Sequence, residues 1–175
     1  MTGPRVLVAY GSRNGSTAEI AQAIAGCLRA HGLATDILPA GSVSDVGHYD
    51  AVVIGSCVYL LRWHADVVAF LHAHERALAS RDVWLFQSGP LDDLPETRDR
   101  PLSVPVQEIA ARIAVRDHVI FGGRLGDGAA GALESLFSLG GLAGDHREWP
   151  RILAWADGVA EEIAMRRGAA VLVPA

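Results

Sequence analysis

Short runs of consecutive apolar residues alternate along the chain with longer segments in which apolar residues recur at helical spacing. The first run, Arg5 to Tyr10, is rich in valine and lacks polar alternation, which is typical of a strand buried on both faces of a parallel sheet. Four similar runs follow, at residues 35–38, 51–54, 82–87 and 118–121. This alternation predicts a doubly wound α/β fold with a five-stranded parallel sheet.

Helical periodicity separates the predicted strands. The first helix is predicted to begin near Ser16, because Ser16 and Glu19 match an S-x-x-E capping box, and to end before Gly32. Further helices are predicted at residues 65–78, 105–115 and 150–167. The turn after the first strand favours the strand order 2-1-3-4-5, and ligands of such sheets bind at the carboxyl ends of strands next to the switch point. The candidate binding loops are therefore residues 11–17, 55–64 and 88–102.

One long segment fits neither a strand nor a helix of this pattern. Residues 126–149 are rich in glycine and alanine, and such a long connection inside a compact domain is usually functional or mobile. The chain has 175 residues, with neither repeats nor an evident linker, so it is predicted to form a single domain. We expect the long segment to be a loop or insertion, serving as a lid or a substrate wall.

Composition and charge exclude several classes of function. The formal net charge is −5, and all fifteen basic residues are arginine, so the sequence predicts no nucleic-acid site, no Schiff-base lysine and no P-loop lysine. The longest apolar run, residues 51–61, is too short to span a bilayer, and the N-terminus has no signal-peptide pattern. We therefore expect a cytoplasmic protein with at most peripheral membrane contact. Cys27 and Cys57 form no C-x-x-C motif, and no metal site is predicted.

The turn after the first strand is predicted to bind an anion. It supplies hydroxyl and amide side chains, a flexible glycine and the N-terminus of a long helix, where free N–H groups and the helix dipole attract negative charge. The residues concerned are Ser12, Arg13, Asn14, Gly15, Ser16 and Thr17. The turn matches neither G-x-G-x-x-G nor a Walker loop, which favours a single terminal phosphate over a pyrophosphate. The alternative is an ordinary turn before a capped helix.

At these residues the chain resembles the flavodoxin family, in which a T-x-T-G-x-T-like loop binds the phosphate of FMN. The chain keeps the first hydroxyl, the glycine and the final threonine, but has Asn14 where a second threonine is usual. Within this family, the chain resembles the flavodoxin-domain group that contains menaquinone-dependent protoporphyrinogen dehydrogenase. The residues that carry this resemblance are Arg13-Asn14-Gly15 and residues 53–59, continuing to Arg62-Trp63-His64. The resemblance implies a flavodoxin-like three-layer sandwich with FMN as its cofactor.

The other two loops are predicted to hold the flavin ring. Tyr59 and Trp63 would supply flat apolar walls, although either ring could instead be ordinary packing. The loop after the fourth strand has no aromatic residue near its start, which leaves one ring face open to a substrate. The predicted ring-binding residues are Gly55, Ser56, Cys57, Val58, Tyr59, Trp63, Ser88, Gly89 and Pro90.

The function predicted from this reasoning is an FMN-dependent oxidoreductase. No catalytic side chain is assigned, because flavin chemistry requires few protein acids or bases. The resemblance implies a small flat substrate or a quinone as electron partner, as in a protoporphyrinogen dehydrogenase. One alternative is a flavodoxin that carries electrons to a redox protein, although such carriers are commonly more acidic than this chain. Another is an interaction module that has lost FMN. A homodimer is compatible with the sequence.

Overall fold

The computed structural model describes residues 3–59, 62–89, 102–125 and 144–171, with strands and helices alternating through the chain. The strands are β1 (Arg5–Gly11), β2 (Ala34–Pro39), β3 (Ala51–Tyr59), β4 (Arg62–Trp63), β5 (Asp82–Gly89), β6 (Asp117–Gly122), β7 (Arg124–Leu125) and β8 (Gly144–Asp145). The helices are α1 (Ser16–Ala30), α2 (Ala65–Leu78), α3 (Val104–Arg112) and α4 (Trp149–Val171), with a short 3-10 helix at Ala40–Ser42.

The central sheet has the order β2-β1-β3-β5-β6, and all of these strands are parallel. The five long strands therefore follow the predicted order 2-1-3-4-5, and the predicted α/β sandwich is confirmed. Along β1, Val6 and Val8 join the core under α1 and α4, whereas Leu7 and Ala9 join the core under α2 and α3. Burial on both faces explains why this strand is continuously apolar.

Two strands are longer than the sequence pattern predicts. β3 continues from Ile54 to Tyr59, and β5 continues to Gly89, because backbone pairing extends past the end of the apolar runs. β4 then folds back antiparallel against β3, with Val58 opposite Trp63. The prediction of a loop throughout residues 55–64 was therefore wrong, because most of that segment is a strand and a hairpin.

The start of α1 also differs from the prediction. Gly15 is the N-cap residue, with a left-handed φ of 83°, so the cap position itself supplies no side-chain hydrogen bond. The Ser16 hydroxyl instead accepts a hydrogen bond from the Arg124 backbone N–H, and Glu19 pairs with Arg124 and Arg147. The predicted capping box was wrong because both of its side chains bind residues in or next to the β7–β8 pair. These residues, 124–125 and 144–147, are called the β7–β8 arm below.

Some sequence predictions fall outside the described residues. These are residues 90–101, which include Pro90 and most of the third candidate binding loop, and residues 126–143, which form most of the predicted lid. The remainder of that segment begins with β8, which pairs antiparallel with β7. The last helix runs to Val171, beyond the predicted end at Arg167. Within the described ranges, no helix is both long enough and apolar enough to cross a membrane.

Candidate functional site

Three predicted segments meet at the carboxyl edge of the sheet because β1, β3 and β5 are adjacent parallel strands. In the strand register, Gly11 lies opposite Ser56, and Cys57 lies opposite Ser88. The turn at residues 12–15 therefore lies beside the β3–β4 hairpin and the end of β5. This is the edge at which ligands of doubly wound sheets bind.

The turn before α1 presents an unused polar group. The Ser12 hydroxyl oxygen is buried and has no hydrogen-bond partner among the described residues. The neighbouring Gly15 adopts a left-handed φ of 83° that non-glycine residues rarely adopt. A buried hydroxyl without a partner costs free energy, so its position beside a helix N-terminus suits a bound anion.

The segment predicted to bind an anion, residues 12–17, is called the anion loop below. Its other two hydroxyls, those of Ser16 and Thr17, have partners within the protein. Ser16 accepts from the Arg124 backbone N–H at 3.1 Å, and Thr17 shares a buried 2.8 Å hydrogen bond with the Ser88 hydroxyl. These bonds tie the first turn of α1 to the β7–β8 arm and to the end of β5. The side chains of Arg13 and Asn14 are exposed at the edge of the loop.

A cavity of about 510 Å³ opens beside the turn. Its lining is mostly aromatic and basic, and consists of Arg13, Cys57, Tyr59, Arg62, Trp63 and His64. The Arg13 guanidinium lies 4.2 Å from the centre of the Tyr59 ring, within the range of a cation–π interaction. The turn and the hairpin are thus joined by one stacked pair at the cavity wall.

The Cys57 thiol faces this cavity in its neutral form. Burial raises the pKa of the Cys57 thiol above its ordinary value, although a backbone N–H of Arg13 donates to the sulfur and acts in the opposite direction. A thiol with a raised pKa is a poor nucleophile at neutral pH. Cys57 therefore contributes an apolar wall rather than a reactive thiolate.

Trp63 belongs mainly to the core, with only 5% of its surface exposed. Its indole Nε1–H donates to the side-chain oxygen of the buried Gln87 at 2.9 Å. This bond fixes the hairpin against β5 and leaves Tyr59 as the more accessible aromatic residue of the predicted pair. Gln87 carried no recognisable signal in the sequence, because its role depends on the register between β3 and β5.

Gly55 and Ser56 are buried within β3, where their side-chain positions are occupied by protein contacts. A Cβ atom at Gly55 would lie 2.0 Å from the Phe86 ring, so this glycine makes room for Phe86. The Ser56 hydroxyl accepts from the His64 backbone N–H at 2.9 Å. Through this bond, Ser56 positions the start of α2 beside the cavity.

His64 and Arg62 line the cavity, although neither was among the residues predicted to bind the ligand. His64 is the N-cap of α2, where its Nδ1 accepts from the Asp66 backbone N–H. His64 therefore has a structural role as a helix cap as well as a place in the cavity wall. The adjacency of both residues to Trp63 was visible in the sequence. The antiparallel pairing of β4 with β3, which places them beside the cavity, was not.

A charged network holds the β7–β8 arm against α1. The buried Arg147 side chain pairs with Glu19 and Asp145, and Arg124 also pairs with Glu19. Hydrogen bonds from Arg147 lower the pKa of Glu19 and lower that of Asp145 to about 2. Both carboxylates are therefore ionised at neutral pH, and the arm stays beside the anion loop.

Comparison with solved structures identifies similar folds at low sequence identity. A Streptococcus pneumonia TIGR4 flavodoxin matches 93% of this chain and 99% of its own, with 16% identity and a TM-score of 0.58. The apo form of the NADH:FMN oxidoreductase EmoB matches 93% of this chain and 89% of its own, with 16% identity and a TM-score of 0.59. The Flv1 flavodiiron core from Synechocystis sp. PCC6803 matches 94% of this chain, which spans 37% of that protein, with 14% identity and a TM-score of 0.64.

Comparison with sequence families gives the more specific result. The sequence matches no curated protein at a significant level. A family model described as "Flavodoxin domain" matches residues 7–126, which include most of β1, the anion loop, the β3–β4 hairpin and β6. This match covers more than half of the chain and agrees with the strand order. The chain therefore belongs to the flavodoxin-domain family, and FMN is its cofactor.

Proposed function

We propose that the FMN phosphate binds at the anion loop, residues 12–17, and that the isoalloxazine ring enters the adjacent cavity. The buried Ser12 hydroxyl without a partner supports the phosphate position, since a phosphate oxygen would accept its hydrogen bond. The left-handed Gly15 directs the first N–H groups of α1 toward the same position.

The cavity suits a planar ring of this size. A volume of about 510 Å³ lies in the ordinary range for small-molecule sites, and Tyr59 supplies an aromatic wall. The predicted ring contacts of Cys57, Val58, Tyr59, Trp63, Ser88 and Gly89 all lie at this edge of the sheet. The cation–π pair of Arg13 and Tyr59 would have to open or shift to admit the ring.

Bound FMN supplies the electron-transfer chemistry, so the protein needs only to position the ring and its reaction partner. On this basis, we propose that the protein is an FMN-dependent oxidoreductase with its own flat organic substrate, such as a quinone or a porphyrinogen. The observation that carries this proposal is the basic lining of the cavity. Arg13, Arg62 and His64 surround it, although the chain as a whole has a net charge of −5.

Basic side chains at the cavity mouth attract an anionic small molecule more readily than they attract the positive surface of a typical redox partner. The similarity of residues 13–15 and 53–64 to the protoporphyrinogen dehydrogenase group supports a substrate of this class. The alternative is an electron carrier, and similarity to the Streptococcus pneumonia flavodoxin over most of both chains favours it. The two functions differ in one kinetic property. In an enzyme, the rate of electron transfer to a small acceptor saturates as the acceptor concentration rises, whereas in a carrier it does not.

The phosphate position is tested by replacing Ser12 with alanine. A lost hydrogen bond to a charged group corresponds to about 1.5–3 kcal/mol, so Ser12→Ala should weaken FMN binding by roughly tenfold or more. Binding is followed by the quenching of flavin fluorescence, with Ser42→Ala on the exposed 3-10 helix as the control. Equal FMN affinity in Ser12→Ala and the parent would show that the phosphate lies elsewhere.

Enzyme and carrier are distinguished by the kinetics of reoxidation. FMN-loaded, chemically reduced protein is mixed without oxygen with a water-soluble naphthoquinone or, separately, with ferricytochrome c. An enzyme should show saturation with the quinone, and Arg62→Gln should raise its KM, whereas the exposed Arg76→Gln on α2 should not. The protein would be a carrier if the rate rose linearly with quinone concentration and did not change in Arg62→Gln. Its reoxidation by cytochrome c would then be faster than its reoxidation by the quinone.

A further inference from the structure

Three side chains with metal-binding chemistry meet where α1 packs against α4. Cys27 lies in the last turn of α1, His31 is the C-cap residue of that helix, and Asp157 faces them from α4. The Cys27 thiol and the His31 Nε2 both lie 2.9 Å from the same Asp157 oxygen, Oδ1. All three potential ligand atoms lie within 4.8 Å of one another.

We propose that Cys27, His31 and Asp157 form a site for a divalent transition-metal ion, with Zn²⁺ as the preferred ion. Thiolate, imidazole and carboxylate are the three ligand types that Zn²⁺ prefers, and three protein ligands with one water complete a tetrahedral site. Ligand atoms around tetrahedral zinc lie about 3.4 Å apart. The two 2.9 Å contacts to Asp157 would therefore lengthen by about 0.5 Å, and the distance between the thiol and the imidazole, now no more than 4.8 Å, would settle near the same value.

The backbone positions of the three ligands are fixed independently of any metal. Ile24 and Leu28 on α1 pack in the same core cluster as Ala156 and Ala160 on α4, and all four are buried. Ligands on two rigid, packed helices, or at the cap of one of them, lose little conformational freedom when an ion binds. The site is thus preorganised by the sandwich itself rather than by a flexible loop.

Without an ion, the three groups form a hydrogen-bonded chain that links the helices. Burial and the Asp157 carboxylate raise the pKa of the Cys27 thiol to about 12, so the thiol is protonated and donates to Asp157. A metal ion would displace that proton, form metal–sulfur, metal–nitrogen and metal–oxygen bonds, and release one proton to solvent.

The role of such a site would be structural. Cys27 lies twelve residues beyond Gly15, which is roughly 18 Å along the helix at the standard rise per residue. The ion would therefore lie far from the anion loop and would join α1 to α4 without taking part in flavin chemistry. Its position is exposed enough for exchange with solvent, because about half of the Asp157 side chain is accessible.

The test is a titration of the untagged, metal-free full chain with Co²⁺, followed by competition with Zn²⁺. We expect one equivalent of Co²⁺ to give a sulfur-to-cobalt charge-transfer band that Zn²⁺ removes. Cys27→Ser should abolish this band and weaken Zn²⁺ binding by more than about a hundredfold, since even outer-shell changes cost 10–100-fold. Cys57→Ser is the matched control and should keep the band.

Two further measurements keep the test decisive. Zn²⁺ should raise the unfolding temperature of the parent and of Cys57→Ser, but not that of His31→Gln or Cys27→Ser. Circular dichroism in the absence of metal checks that each variant is folded. The absence of a stoichiometric cobalt band in the parent, or a band that survives Cys27→Ser, would overturn the proposal and leave the trio as a hydrogen-bonded link between helices.

Discussion

Replacing Gly15 with alanine tests whether the turn before α1 needs its left-handed backbone. Gly15 has a φ of 83°, and a Cβ atom there would meet no atom of the described residues within 4 Å. The expected cost is therefore conformational rather than steric, about 1–2 kcal/mol of unfolding free energy. If the loop relaxes to another conformation when FMN is absent, FMN binding must restore the left-handed turn. This cost would weaken FMN affinity by about 5–30-fold.

Two other glycines, one inside α1 and one just beyond its end, provide matched controls. Gly32, just beyond the end of α1, has a φ of 80° and equally open surroundings, so Gly32→Ala should lose similar stability but retain FMN affinity. Gly26, inside α1, also has open surroundings, but its φ is not positive. Gly26→Ala should therefore gain about 0.5–1 kcal/mol.

The assays are urea unfolding for stability and flavin fluorescence quenching for affinity. For Gly15→Ala, the predicted result is a total loss of about 1–2 kcal/mol, divided between stability and FMN affinity. Gly32→Ala should lose stability alone, and Gly26→Ala should gain stability. The reasoning would be refuted if Gly15→Ala were as stable as the parent and bound FMN equally well, since the left-handed turn would then be dispensable.

Two further predictions concern bonds that hold the site together. Thr17→Val should lose about 1–3 kcal/mol in urea unfolding, because the buried Ser88 hydroxyl is left without its partner, and adding Ser88→Ala should recover part of this loss. The lowered pKa values of Asp145 and Glu19 contribute stability that is present above about pH 4 and is lost as the pH falls toward 2. Because both carboxylates are well exposed, each pair should contribute about 0.2–1 kcal/mol, and Arg147→Gln should flatten this part of the pH–stability curve.

Much of the fold could be predicted because it depends on local patterns. The apolar run of β1, with Val6 and Leu7 facing opposite cores, has the unbroken hydrophobicity of a strand covered on both faces. The ends of elements were less predictable. β3 extends to Tyr59 because it pairs with β5 and β4, and these long-range partners are not evident in the residues of β3 themselves.

The anion loop was predicted as a segment, but the roles of its hydroxyls were not. Ser12, Ser16 and Thr17 looked equivalent in the sequence, yet only the Ser12 hydroxyl among the three lacks a partner within the described residues. The partners of the other two come from Arg124 and Ser88, more than seventy residues away in the chain. Contacts between residues so far apart in the chain are determined by tertiary packing and leave no local sequence signal.

The proposed metal site also depends on a contact that has no local sequence signal. Cys27 and His31 are four residues apart, which places them on one face of a helix, but two ligands at this spacing are a weak signal. The third potential ligand, Asp157, lies on α4 and joins them only because α4 packs on α1. The expectation of no metal site was based on spacing alone, and the cobalt titration tests it directly.

The central claim is that this edge of the sheet binds FMN through its phosphate. The most direct test compares the binding of FMN and riboflavin to the parent protein by fluorescence titration under identical conditions. Because the phosphate should form at least one charge-assisted hydrogen bond, the account predicts one equivalent of FMN bound at least about tenfold more tightly than riboflavin. Equal affinity for the two flavins, or no stoichiometric binding of FMN, would contradict it.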